Sequence, residues 1–251
     1  RAALFSAIMA KKGVAARMNE PLEGKGGLYD ALFRNNYDPE VILNGLGSKW
    51  EYPKLRYKAW PCCGTTHAVL DTIFSLKKDN DIPVQEIEDI HLIINRPHLS
   101  LLEPREAKYR PKTLAAAKFS LPFSIALAIK NCNVTLDMYS EGVYDNPELL
   151  AIADKVTYEQ RTPLENPPAG YFPDDHVEVI IRTAKGEIRK ETFVSAGSPY
   201  KPLSNEQMEQ KFFDCMKHSE KTYSEEQVRE IYNKIREFDK FSGIQEFCKL
   251  F

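Results

Sequence analysis

The stretch "KAWPCCGTTHAVLD", residues 58–71, places Lys58, Cys62, Cys63, Thr65, Thr66 and His67 within ten positions. Three kinds of chemistry use such groups: a zinc site, a thiol nucleophile and an anion pocket. Zinc is disfavoured by spacing. Adjacent cysteines cannot easily aim both sulfurs at one tetrahedral ion, and the sequence has no second pair. Cys62 therefore reads as a small buried hydrophobe. Cys63 stands just before an expected helix N-terminus, where the dipole lowers a thiol pKa, and His67 follows one turn later. A Cys–His pair is thus geometrically possible, although no Gln or Asn signature of a cysteine hydrolase accompanies it.

An anion pocket uses the same turn differently. A loop entering a helix offers free backbone N–H groups and the positive end of the dipole. Thr65 and Thr66 add hydroxyls, Lys58 adds a full charge, and His67 can bind or shuttle a proton. The set suits a small di- or tricarboxylate. The plain structural reading takes Thr66 as an N-cap, His67 as a first-turn surface residue and Lys58 as a solvated side chain. These residues alone leave both readings open. A second stretch, "AAAKFSLPFSIALAI", brings Lys118 and Ser120 to another helix start, where a capped, buried helix is the plain reading. His91, His98, His176 and His218 read as structural or exposed.

The elements that must position these groups follow from periodicity and caps. Residues 2–12 read as a helix with Gly13 at the left-handed position after it. A glycine-rich turn and a second helical stretch follow, and Asp38-Pro39 opens a third. "LRYKAW" reads as extended. Thr65 or Thr66 caps a helix running to about Lys77, with Val69, Leu70, Ile73 and Phe74 on one side. "EIEDIHLIIN" alternates as a strand with Ile90, Leu92 and Ile94 on one face. "KTLAAAKF" is a short helix. Ser120 and Asn146, each next to a proline-bearing start, cap two further helices, the second running through "ELLAIADKV". Residues 161–175 form a proline-rich loop. "HVEVIIRTAKGEIRKETF" is a hairpin with Val177, Val179 and Ile181 inward and its turn at Lys185-Gly186. "SNEQ" and "SEEQ" are capping boxes at Ser204 and Ser224. The order is helical, mixed, helical, so the fold class is α+β.

The 251 residues are enough to bury a real core. A net charge of −2 gives none of the basic excess that nucleic acid or an anionic membrane requires. No apolar run reaches membrane-helix length. Five irregularly spaced cysteines do not form a disulfide framework, which fits a reducing, cytoplasmic setting. The chain starts without Met, partway into an amphipathic helix, and reads as the later part of a longer protein.

Taken in order, "AALFSAIMAKKG", "LEGKGGL", "KAWPCCGTTHAVLD", "EIEDIHLIIN", "AAKFSLPFSIALAI" and "GSPYKPLSNEQMEQKF" resemble the MmgE/PrpD family across nearly the whole chain. That family includes 2-methylcitrate dehydratase, cis-aconitate decarboxylase and iminodisuccinate epimerase. The resemblance implies an all-helical domain interrupted by a smaller α+β lid. Residues 1–52 would end the helical domain, 53–197 would form the lid, and 198–251 would return to the helical domain. It also implies a homodimer, no metal or organic cofactor, and a small polycarboxylate substrate. The shared chemistry is proton movement beside a carboxylate: dehydration, decarboxylation or epimerisation. Lys58 and Pro61 match the family's K-x-x-P pattern, and His67 matches a following T-H. Cys63 stands where the decarboxylases have a catalytic histidine, and Phe123 where they have a tyrosine. The catalytic candidates are Lys58 and His67, which the resemblance supports, and Cys63, which rests on the thiol reading. Thr65, Thr66, Lys118, Ser120 and Phe123 would bind substrate. Family members draw further Asp and His groups from an N-terminal half that precedes Arg1, so a chain lacking them would be a catalytically incomplete, dimerising, anion-binding module.

Overall fold

The structure is a computed structural model that describes residues 1–250 except 16–18, 51, 53–54, 81, 163 and 167–171. The chain forms two compact units, Arg1–Tyr52 and Pro53–Phe251. The first holds helices α1 (Ala2–Lys11), α2 (Leu28–Phe33) and α3 (Pro39–Leu43). Asp38 caps α3 through the Glu40 N–H at 3.0 Å, with Pro39 at the first helical position. None of the three helices buries a side chain.

The second unit carries the core. In chain order it contains α4 (His67–Asp79), β1 (Ile87–Ile94), α5 (Arg105–Tyr109), α6 (Leu114–Lys118), α7 (Leu121–Asn131) and α8 (Pro147–Asp154). There follow β2 (Val156–Gln160), β3 (Val177–Thr183), β4 (Gly186–Thr192), α9 (Asn205–Lys217), α10 (Glu225–Arg236) and α11 (Ile244–Cys248). The strands form one sheet in the order β2-β1-β3-β4. β1 and β2 are parallel and the other two pairs antiparallel. Parallel neighbours need a crossover, and α5–α8 supply it. The class is α+β.

The buried faces follow the expected patterns. Ile90, Leu92 and Ile94 of β1, and Val177, Val179 and Ile181 of β3, are fully buried. Leu121 through Ile129 of α7 are buried all round, as suits a helix packed between α4 and α8. In α4, Val69, Leu70 and Ile73 are buried, and Phe74 packs on the core from a part-buried position. Ser120 caps α7 by accepting from the Phe123 N–H at 3.1 Å. Both capping boxes, at Ser204 and Ser224, are present.

Three local expectations are corrected. Neither Thr65 nor Thr66 caps α4. A 3-10 turn, Gly64–Thr66, precedes it, and the Thr66 hydroxyl donates to the Cys63 carbonyl at 2.6 Å instead of accepting from the helix. The hairpin turn is Ala184-Lys185, and Gly186 already pairs with Thr183 as the first residue of β4. The helix expected through Val156 stops at Asp154, and Val156–Gln160 is a strand. The proline-rich loop of 161–175 lies partly outside the described residues.

Ser120 is fully buried, and its hydroxyl both caps α7 and donates to the Lys108 carbonyl. Removing it leaves a buried N–H and a part-buried carbonyl unmatched. We predict that Ser120→Ala costs about 2 kcal/mol and that the exposed cap variant Ser224→Ala costs about 1 kcal/mol or less. Urea midpoints of the two variants test the order.

Candidate functional site

A cavity of about 260 Å³ opens where four segments of the second unit meet. Its walls are Arg56, Tyr57 and Lys58; Gly64, Thr65 and His67; Asp174; and Ser195 with Ala196. A larger hollow of about 660 Å³ lies on α10, lined by charged groups such as Lys234, Glu230, Lys240 and Glu237. Those charges pair locally, Lys234 with Glu230 on α10 at 2.6 Å and Lys240 with Glu237 just after it at 2.7 Å. It is a solvated helix face, so the smaller cavity is the better candidate.

The extended segment 55–58 is held at two points. The Arg56 guanidinium pairs with the Asp175 carboxylate, which is buried, and donates to Ser195 Oγ at 2.6 Å. Ser195 in turn donates to Asp175 through its hydroxyl at 2.8 Å and its N–H at 3.2 Å. The Tyr57 N–H donates to the Gly197 carbonyl at 2.8 Å. Gly197 has φ +89, and a Cβ there would stand 1.9 Å from the Tyr57 carbonyl oxygen. Only glycine fits such a conformation at such an approach. The hairpin makes this junction possible. Carrying the Val177–Thr192 pairing outward brings the Asp174-Asp175 turn beside Ser195.

The second wall is the turn before α4. The Cys63 N–H donates to the Lys118 carbonyl at 3.0 Å. The Cys63 carbonyl then gathers three donors: the Thr66 N–H at 3.1 Å, the Thr66 hydroxyl at 2.6 Å and His67 Nδ1 at 3.1 Å. A carbonyl can only accept, so Nδ1 carries the ring proton and Nε2 accepts from the Trp60 N–H at 3.4 Å. Burial pushes the His67 pKa down to about 4; the Cys63 carbonyl raises it, and Lys58 lowers it further. The ring is a neutral brace between residues 60 and 63. The acid–base role expected for His67 needs a free ring nitrogen, and here both face backbone groups. His67 is also buried, not a surface residue.

The Cys62 thiol is buried and lies 2.9 Å from Thr66 Oγ1. The Thr66 proton goes to Cys63, so the thiol donates. Burial pushes its pKa up to about 11, which leaves it inert.

Of the residues read from the sequence, Lys58, Thr65 and His67 line the cavity together. Lys58 is exposed and has no hydrogen bond or ion pair among the described residues. The Thr65 hydroxyl donates to Asp174 at 3.4 Å. The others lie elsewhere. Thr66 is buried behind the turn, and Cys63 packs against the core. Lys118 reaches over the Tyr139 ring, 5.4 Å from its centroid. Ser120 and Phe123 are fully buried. None of these lines the cavity. Sequence reading missed Arg56, Asp174, Asp175 and Ser195. The signal for Arg56 was available: it stands two residues before Lys58 in an extended run, on the same side of the chain.

A protein-family model described as the MmgE/PrpD C-terminal domain matches residues 60–237. A cis-aconitate decarboxylase-like protein of Aspergillus oryzae is 20% identical over 263 residues, covering 100% of this chain and 52% of that protein. The cis-aconitate decarboxylase of Aspergillus terreus is 25% identical over 175 residues, covering 64% of this chain and 35% of that protein. The chain spans about half the length of the first of these relatives and less of the second. With the family model matching well over half of its residues, the chain belongs to the MmgE/PrpD family.

Proposed function

We propose that this chain carries the carboxylate-holding part of a lyase or isomerase. Its substrate would be a small di- or tricarboxylate, and the reaction a proton transfer beside a carboxylate. The observation that supports it is the unpaired Lys58 at a cavity whose other cation, Arg56, is already matched by Asp175. Lys58 binds the substrate carboxylate as a point charge, with the Thr65 hydroxyl beside it. Asp174, the one carboxylate lining the cavity among the described residues, is the proton acceptor. His67 stays neutral and holds the turn in place. Sharing of the site with groups outside this chain, the division at 1–52, 53–197 and 198–251, and a homodimer belong to the same proposal. Dehydration and epimerisation remove a proton beside the carboxylate, whereas decarboxylation breaks the bond to the departing carbon dioxide and delivers a proton to the carbon it leaves, so in that reaction the carboxyl at this position would have to act as the donor. The relatives' printed name, cis-aconitate decarboxylase, makes decarboxylation of a tricarboxylate the first reaction to assay.

A second reading has one observation in its favour. Both His67 nitrogens face the backbone, so among the described residues the cavity holds no histidine with a free ring nitrogen. On that reading the chain folds and binds anions without turnover.

We predict that Lys58→Ala, in the active protein containing this chain, lowers turnover of a citrate-, aconitate- or aspartate-type acid by about 100-fold. Undiminished turnover removes the role given to Lys58. Anion binding with no turnover in the unmodified protein favours the second reading.

The brace has a pH signature. Unfolded His67 titrates near 6.5 and folded His67 near 4, so between these values the unfolded chain binds more protons. The stabilisation is complete above pH 6.5 and is lost as pH falls toward 4. We predict that the unmodified chain loses on the order of 2 kcal/mol more than His67→Gln between pH 7.5 and 4.5. His98, also lowered by burial, titrates in both proteins and cancels. Equal losses in the two would show that His67 is not a buried neutral ring.

A further inference from the structure

A second cavity, of about 630 Å³, runs beneath α9. It shares Ala196 with the first cavity, and its wall continues through Ala59 and Trp60, the two residues after Lys58. The Trp60 ring lies 5.1 Å from the His67 ring and 5.2 Å from Phe74, centroid to centroid. The two hollows share Ala196, and Trp60 of the second packs against His67 of the first.

The charges in this groove are nearly all matched. Asp71 accepts from Lys201 Nζ at 2.6 Å and from the Ala196 N–H at 3.0 Å. Asp214 accepts from Gln210 at 2.9 Å and from Lys217 at 3.3 Å. The Ser204 hydroxyl holds the Glu206 carboxyl below the usual carboxylate range. Lys211 is different. It lines the groove half-buried and has no hydrogen bond or ion pair among the described residues. Its charge, with those of Lys58 and Arg56, is felt at His67. A cation partly withdrawn from water without a partner is unfavourable until an anion meets it. Lys58 and Lys211 are thus two cations without an ion pair among the described residues, on two cavities that share Ala196.

We propose that the substrate site extends past Ala196 into the groove under α9, and that Lys211 holds a second carboxylate of a substrate whose first carboxylate lies at Lys58. The inference rests on the reading of Lys58 given above and adds a specificity residue to it. The site then selects polycarboxylates over monocarboxylates, because a monocarboxylate can meet only one of the two cations at a time. α9 becomes part of the binding surface.

Calorimetric titration of the chain with citrate and with acetate tests this. Unmodified protein binds citrate more tightly than acetate. Lys211→Met weakens citrate binding about tenfold and acetate binding far less, while Lys211→Arg restores most of the citrate affinity. Lys211→Gln serves the same purpose if the Met variant does not fold. Lys58→Met weakens both acids. Unchanged citrate affinity in Lys211→Met, with Lys58→Met weakened, overturns the second-carboxylate site and leaves the first intact. No preference for citrate over acetate in the unmodified protein also overturns it. Binding indifferent to Lys58→Met overturns the reading on which it rests.

Discussion

The pairing of Arg56 with Asp175 fixes the geometry of everything around the cavity. A carboxylate with 1% of its side chain exposed cannot remain charged in the interior without a partner. Asp175 has three donors: the Arg56 guanidinium and both the hydroxyl and the N–H of Ser195. These contacts join the extended run 55–58, the turn before β3 and the segment after β4. The Tyr57–Gly197 bond closes the same junction from the backbone. Lys58 follows directly, so its placement at the cavity is inherited from neighbours that are fully committed. Removing Arg56 would leave Asp175 buried with its Ser195 hydrogen bonds but without a counter-charge, which costs more than the pair itself contributes.

The opposite wall is built from neutral groups. The Cys63 carbonyl is the hub of the turn, and Thr66 and His67 both donate to it. The Cys62 thiol is protonated, and the His67 ring is uncharged. The reactive appearance of "CCGTTH" in the sequence is thus largely a matter of backbone support. The charges that can meet a ligand stand on other segments: Lys58 before the turn, Asp174 before β3, and Lys211 on α9. Lys58 and Lys211 share their cavities with carboxylates, Asp174 in the first and Asp71, Glu206 and Asp214 in the second, but have no ion pair with them.

Much of the scaffold was legible from short-range rules. Caps at Asp38, Ser120, Asn146, Ser204 and Ser224 follow from local hydrogen bonding, which one short segment contains in full. The alternation of β1 and β3 follows from one buried sheet face. β2 was not legible: it is short, largely exposed, and owes its extended form to parallel pairing with β1, a contact between distant residues. The turn before α4 failed for a related reason. A threonine before a helix reads as a cap, but the Cys63 carbonyl competes for its hydroxyl. The cavity was half legible. Lys58, Thr65 and His67 lie in one stretch, whereas Arg56, Asp174 and Ser195 meet only through the hairpin and the long-range clamp. Ser120 and Phe123 belong to the right neighbourhood in sequence, yet α7 turns them wholly into the core.

The most direct test of this account is a crystal structure of the chain soaked in a tricarboxylate such as citrate. The account predicts one carboxylate within about 3 Å of Lys58 Nζ, lying between Thr65 and Ala196, with Arg56 still on Asp175. Density for the acid only at other surfaces, or a Lys58 side chain turned out of the cavity with the acid bound, would contradict it.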